Sequence, residues 1–388
     1  MVTISQLFKK ISYLVTKEDK NRYIQISEDA LNLFKQKSPK VLGLINDIKK
    51  IIRHYDLYYF EAIVYSYLEN HEKVIESCKK GLGIKETYYL YDRIAIAYHQ
   101  LEQYDLALEM FDKAIKLDDS IFEIYYDKAI TLIDLHKDEE AIKLLNKVIA
   151  INPDYSNAYK EIAFIFFEMK NYNKSYSSFI EYVRLTNEHK GYYYLALILY
   201  ESDEIEIEID KYIQILTYIN KAISISKEKN IFKSYYFMLK ADTLLVLYRE
   251  KEADFCYKIV INNPESDIED IEEALSFLSY RVFNKDKELA LDYINRAIDI
   301  SKESWYFTQK GRIFYHLKKY DEAIMNLQKA LDINSSLELE DTYYYISLVK
   351  FRKNNINQAL FYINEAIKIQ KEKKFINLKK YLERLQQI

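Results

Sequence analysis

Glycine and proline are scarce, with five and three residues in a chain of 388. A sheet built on tight hairpins draws heavily on glycine, so this poverty argues against a β architecture and suits long helices. Cysteine is almost absent. Cys78 and Cys256 both fall at packing positions of helical segments many residues apart. They are expected as small core residues and not as a disulfide. No GxxxxGK followed by Ser or Thr and no GxGxxG occurs, which removes the backbone cradle for a phosphate or dinucleotide. The six histidines (His54, His71, His99, His136, His189 and His316) are scattered, with no HExxH and no paired CxxC, so no metal is expected. A GxSxG elbow and a cysteine placed for nucleophilic attack are missing too. These absences predict a noncatalytic chain without a cofactor.

Excess positive charge is also lacking. The formal charge is −4 and the pI about 6.0, which gives no global attraction to phosphate, and no nucleic acid partner is expected. Six lysines near the C-terminus (Lys368, Lys371, Lys373, Lys374, Lys379 and Lys380) read as a solvated helix face. No long apolar run exists. The first segment, around Leu7, Phe8, Ile11, Leu14 and Val15, is interrupted by lysines, so neither a secretory signal nor a membrane span is expected, and a cytoplasmic location is the expectation.

What the chain has is helix-forming material: 49% hydrophobic and 30% charged residues. It also has an internal period. Tyr91, Ala95, Tyr98, Ala107, Phe111 and Ala114 form a pattern that returns about every 34 residues. The copy from Tyr88 to about Ser120 reads as two amphipathic helices broken at Gln103-Tyr104-Asp105. The next places Tyr125, Ala129, Leu132, Ala141, Leu145 and Val148 at the same offsets and stops at Asn152-Pro153, where a helix cannot continue. Small residues recur where two helices approach, and large ones a turn away, because a hairpin interlocks only when one surface offers hollows for the other's knobs.

These residues resemble the tetratricopeptide repeat (TPR) family. Carrying the register outward adds copies with Tyr58, Ala62, Tyr65, Cys78 and Gly81, with Tyr159, Ala163, Phe166, Ser175 and Phe179, and with Tyr192, Ala196, Leu199, Ile219 and Ala222. Beyond those come Phe237, Ala241, Ala253 and Tyr257, then Leu278, Ala290, Ile294 and Ala297, then Phe307, Gly311, Phe314, Ala323, Leu327 and Ala330. A last copy has Tyr343, Ser347, Ala359, Ile363 and Ala366. The resemblance implies an all-α, right-handed superhelical α-solenoid of stacked helix-turn-helix repeats, grown by neighbour contacts and needing no single central core. Its expected organisation is an N-terminal helical cap over 1–54 with a degenerate hairpin, about nine repeats over 55–371 with a longer loop near 201–210, and a capping helix over 372–388. The acidic loop is a candidate hinge.

In TPR proteins the first helix of each hairpin lines the concave surface. The resemblance therefore puts into a groove Tyr59, Ile63 and Tyr67, then Asp92, Ile96 and His99, then Tyr126, Ile130 and Ile133, then Lys160, Phe164 and Phe167, then Tyr193, Leu197 and Tyr200. These lie off the packing stripe of their own hairpins, so their apolar character points to a protein or peptide ligand, oriented by Asp92, Asp127, Lys160 and Glu161. The alternative is a groove filled by its own walls or by the N-terminal cap. The clamp that chaperone-binding TPRs use for a C-terminal carboxylate is absent, because the equivalent positions hold Asp56, Tyr59, Ile63, Arg93 and Asp127. An extended apolar peptide or an amphipathic helix is the expected ligand.

The 39 tyrosines decide nothing alone. An excess of Lys, Asn, Ile and Tyr is what an AT-rich coding genome produces, and many tyrosines occupy packing positions. The expected function is a noncatalytic protein-binding scaffold or adaptor. The alternative is a peptide-sensing switch, since similar chain length and an N-terminal helical bundle ahead of TPRs are seen in bacterial Rap-type quorum-sensing regulators. There, a peptide in the groove repositions the N-terminal helices. Self-association and service as a subunit beside a separate catalytic partner stay open.

Overall fold

The sequence period takes shape as helix pairs in the computed structural model, which describes residues 4–202, 209–333 and 339–387. Those residues form helices and connecting turns with no strand among them. The chain divides into two compact units, Met1–Asn187 and Glu188–Ile388.

The first unit opens with α1 (Ile4–Ser12), α2 (Lys20–Lys35) and α3 (Val41–Ile51). Hairpins follow: α4 (Tyr55–Tyr67) with α5 (His71–Leu82), α6 (Tyr88–Gln100) with α7 (Tyr104–Leu117), α8 (Phe122–Asp134) with α9 (Asp138–Ile151), and α10 (Ser156–Glu168) with α11 (Tyr172–Thr186). The break expected at Gln103-Tyr104-Asp105 lies slightly earlier, at Leu101–Gln103, because Tyr104 already begins α7. Each second helix also packs on the next first helix, and α4 touches α6 as α6 touches α8.

Apolar burial follows that order. Leu7, Phe8, Ile11, Tyr23, Ile45, Ile48 and Phe60 make one cluster around the N-terminal helices. Tyr59 adjoins it and also the next cluster, built on Val74, Cys78, Leu90 and Ile94. Tyr98 and Met110 link that cluster to one containing Ala95, Ala107, Phe111 and Ala114, and Ile115 links onward to Tyr125, Leu132, Leu145 and Val148. The core is thus a chain of neighbouring clusters, which is how a solenoid is stabilised. At the cap, Phe8 meets Phe60 edge to face at 5.1 Å, and the Tyr23 hydroxyl donates to the Phe8 carbonyl.

Within each hairpin the turn is closed without glycine. Glu69, Glu102, His136 and Lys170 take left-handed backbone, with φ between 54° and 57°. In each case the following N–H reaches back to a carbonyl five residues earlier, as from Asn171 to Phe166, which satisfies an otherwise orphaned group at the helix end. Asn70 and Asn171 then cap the second helices, each accepting from a backbone N–H three residues on.

The second unit contains α12 (His189–Glu201) with α13 (Ile209–Glu228), α14 (Ser234–Val246) with α15 (Glu250–Asn262), α16 (Ile268–Val282) with α17 (Lys287–Ile300), α18 (Ser304–His316) with α19 (Tyr320–Asp332), and α20 (Leu339–Arg352) with α21 (Ile356–Ile369). A final helix, α22 (Lys373–Gln386), lays Phe375 and Leu382 on Ala359, Ile363 and Ala366. Of the C-terminal lysines, Lys374 pairs with Asp341 at 2.8 Å and Lys368 with Glu365 at 2.6 Å. The acidic stretch read as a hinge lies largely outside the described residues, between Ser202 and Ile209. Cys78 and Cys256 are both buried and free. Burial pushes the Cys78 thiol up to about 12, which makes it inert.

Candidate concave site

In unit 1 the first helices α4 and α6 contact one another, as do α6 and α8, and the residues expected in a groove lie on these helices and on α10. Tyr59, Ile63, Asp92, Ile96, His99, Tyr126, Ile130, Ile133, Lys160, Phe164 and Phe167 are all half-buried, and Tyr67 is 56% exposed. Tyr193, Leu197 and Tyr200 are likewise half-buried in unit 2. These side chains are therefore neither core nor fully solvated. Phe164 departs from its expected freedom, because its ring stands edge-on to the buried Phe179 at 5.3 Å. It helps to hold its own hairpin. Ile63 and Ile130, by contrast, belong to none of the four apolar clusters described above.

Polar contacts tie this face together from one repeat to the next. The Arg93 guanidinium lies 5.7 Å from the Tyr59 ring centre and donates to its hydroxyl at 3.5 Å. His99 Nδ1 shares a hydrogen bond of 3.1 Å with Thr131 Oγ1, and its Nε2 is 3.5 Å from Asp134. The Tyr126 hydroxyl donates to Glu161, which also pairs with Lys160 at 3.0 Å. Such links join residues 32 to 35 apart in sequence. They carry part of the stacking between neighbouring repeats.

Carboxylates dominate the electrostatics. Asp56 is buried, accepts from the Tyr89 hydroxyl, and has Lys10 of α1 at 3.6 Å. Its backbone N–H donates to His54 Nδ1, so His54 caps α4 through an imidazole whose pKa burial lowers. Asp92 keeps part of its surface in solvent, yet its Oδ1 is sealed and has no hydrogen-bond partner. Burial pushes its carboxyl up to about 6. Asp127 is held higher, at about 7, first by burial and then by the charge of Asp92. Arg93 lowers both, but burial outweighs it. A cavity of about 170 Å³ opens beside Asp92 and Asp56, walled by α1 and by residues of α4, α6 and α8.

The first helices of unit 2 show the same chemistry. Asp242 accepts from the Tyr257 hydroxyl at 2.8 Å, and burial raises Asp242, Asp270 and Glu273 alike. The Oδ2 atom of Asp270 is sealed without a partner. Tyr193 stacks on Tyr236 at 5.0 Å and meets Tyr235 edge-on at 4.8 Å.

Sequence models of the tetratricopeptide repeat match residues 98–175 and 306–337. With the helix pairs and their register, these matches identify the repeat. This chain carries tetratricopeptide repeats. A TPR repeat-containing protein of Methanocaldococcus jannaschii is 23% identical over 352 residues, covering 84% of this TPR chain and 58% of that protein. Anaphase-promoting complex subunit 3 of Schizosaccharomyces pombe is 28% identical over 133 residues, covering 34% of this chain and 20% of that one. The chain thus spans little more than half of the first relative and a fifth of the second. Among solved structures, the C-terminal part of a TPR repeat-containing protein from Cytophaga hutchinsonii aligns with a TM-score of 0.47 at 16% identity, over 71% of this chain and 95% of that one. No described helix of this TPR protein is long and apolar enough to cross a membrane.

Asp92 and Asp127 stood out in the sequence as orienting groups. The repeat pattern does not mark Tyr88, Tyr89 and Glu123, which line the same cavity as Asp92. Their only signal is position, since Tyr89 falls 33 residues after Asp56 on the next first helix, and that signal needs the register of both helices at once.

Proposed function

We propose that this TPR protein is a noncatalytic interaction scaffold that takes a peptide or partner helix on the face formed by its first helices. The observation that carries the reading is a face of half-exposed tyrosines and isoleucines set among carboxylates that lack full compensation, Asp92 above all. Apolar surface of this kind gains by burial. The 1–54 segment acts in this reading as the N-terminal cap, and 372–388 as the C-terminal one.

The test is affinity capture from the source organism's lysate with wild type beside an Ile63→Lys, Ile130→Lys double variant. These two positions are preferred to Phe164, whose loss also strips Phe179 of a neighbour. The expected outcome is a prey lost from the variant while its helical signal and melting stay near wild type. Retention of the same prey by both baits moves binding off this face and overturns the reading.

A second reading, a peptide-sensing switch, is favoured by one feature. Helix α1 supplies Leu7 and Lys10 to the cavity beside Asp92, so a ligand there touches the N-terminal cap directly. Ligand-dependent protection of residues 4–12 from hydrogen exchange is its expected signature, and unchanged exchange there removes it.

A further inference from the structure

We propose that the first-helix face around Arg312 in unit 2 is an oxyanion site, and that its occupant is a phosphate monoester carried by the bound peptide. The proposal rests on the groove reading, extends it into unit 2 and names the chemistry of one subsite.

The repeat register puts Arg312 on that face. Gly311 holds the small position of α18 that Ala95 holds in α6, so Arg312 stands where Ile96 does. Basic groups from two helices then gather at one ring, that of Phe283 at the end of α16. The Arg312 guanidinium lies 4.6 Å from its centre, Lys287 Nζ 5.8 Å and the His316 ring 5.1 Å. Arg312 is also 5.5 Å from the ring of Tyr280, which is 64% exposed. Ring contacts suit a planar guanidinium and leave the N–H fork at its edge for an acceptor. Only Gln309 uses that fork among the described residues, through one Nη1–H at 3.3 Å.

No described carboxylate pairs with Arg312 or Lys287, although both are half-buried. Arg281 of α16 shows the contrast, since it is held by Asp254 and by Glu250 at 3.2 Å. The nearby acids are committed elsewhere. Asp286 accepts from the Leu289 N–H, Glu288 pairs with Lys319 at 3.7 Å, and Asp341 of α20 pairs with Lys374 at 2.8 Å. The local field is positive: after burial, Arg312 and then Lys287 hold His316 below its ordinary pKa. Cations half-withdrawn from water gain by meeting an anion. Their number selects among oxyanions. A carboxylate brings one charge, whereas a phosphate monoester carries about two near neutral pH and offers oxygens to the guanidinium fork and to the lysine together. A neutral peptide group leaves both cations uncompensated, and a basic one is repelled.

The test uses the full chain with methyl phosphate at pH 8 and fixed ionic strength, where the probe is a dianion and His316 is neutral. Phosphorus NMR reads binding. Arginine Nε–H NMR reads its place through Arg312, whose Nε is sealed from solvent and whose signal is assigned by its loss in Arg312→Gln. The expected result is saturable binding that shifts the Arg312 signal, with acetate weaker by about fivefold or more. Methyl phosphate is expected to bind about fivefold or more weaker to Arg312→Gln and about twofold or more weaker to Lys287→Gln. Arg184→Gln, whose guanidinium pairs with Glu181 in unit 1, is expected to stay within about twofold of wild type. Absence of a saturable shift at Arg312, acetate binding as tight as methyl phosphate, or smaller effects of the Arg312 and Lys287 variants overturns the proposal. The wild-type arm decides even if a variant folds poorly. Because methyl phosphate reads the Arg312 site alone and capture with the Ile63 and Ile130 variant reads the face in unit 1, failure of the subsite and failure of the scaffold reading are told apart.

Discussion

At Gly311 a single missing atom sets how closely two helices approach. A Cβ built there would sit 2.6 Å from Leu327 Cγ and 2.8 Å from its Cδ2. Leu327 is fully buried, so it has no room to retreat. Gly311→Ala is expected to cost on the order of 1–3 kcal/mol by overpacking, read as a lower midpoint in urea with an unchanged slope. An unaltered midpoint would show that α18 and α19 can separate without loss. At Asp127 the decisive matter is charge. Its carboxyl is raised from an ordinary 3.8 to about 7, with Asp92 and Glu123 adding to burial and Arg93 opposing it. The folded state therefore binds the proton more tightly than the unfolded chain. The stability this lends is fully present below about pH 4 and lost as pH rises through about 7. Asp127→Asn should stabilise the protein at pH 8 by about 1–2 kcal/mol, allowing for residual solvation, with the gain shrinking toward pH 4. Denaturation of both proteins across that range checks the sign, and an Asn variant weaker at every pH would contradict it.

At the scale of the helix, the hairpins are tied by turns that the composition makes awkward. Glycine is the residue that takes left-handed backbone without strain, yet Lys170 adopts φ 57° and its counterparts Glu102 and His136 do the same. Lys170 is exposed, so its side chain has no packing to lose. Lys170→Gly is expected to raise stability by up to about 1 kcal/mol, less whatever the freer unfolded chain gives back. Thermal melts of the single variant decide it, and a drop in midpoint would place the value of Lys170 in contacts other than its backbone. The helices themselves were legible because small and large residues alternate at fixed offsets: Ala95, Ala107, Ala114, Ala129 and Ala141, all chosen by that pattern, are fully buried. The turn residues were not legible, since Glu, His and Lys carry no turn signal of their own. Only the repeat spacing marks them.

On the scale of the whole molecule, the links that stack the repeats lie on the face proposed to bind. The expected lining follows from the repeat register, which assigns one side of each first helix to the inner face. What it could not show was that Arg93 reaches Tyr59 and His99 reaches Thr131 across to neighbouring repeats, since such pairs depend on how far one hairpin is rotated on the next. Nor could spacing show that α1 walls the cavity beside Asp92, because α1 lies outside the repeat. The consequence for folding is local. The clusters built on Phe8, Cys78, Phe111 and Leu145 each draw on residues of unit 1 alone, and Tyr59, Tyr98, Met110 and Ile115 chain them together. Stability summed over neighbour contacts survives a cut between repeats better than stability from one central core. Residues 1–187 expressed alone are therefore expected to give a helical spectrum and a cooperative melt, with the Phe8 and Tyr23 cluster protected from hydrogen exchange as in the full chain. A fragment that is unfolded, or one that melts without a transition, would mean that unit 1 depends on residues beyond Asn187 for its core.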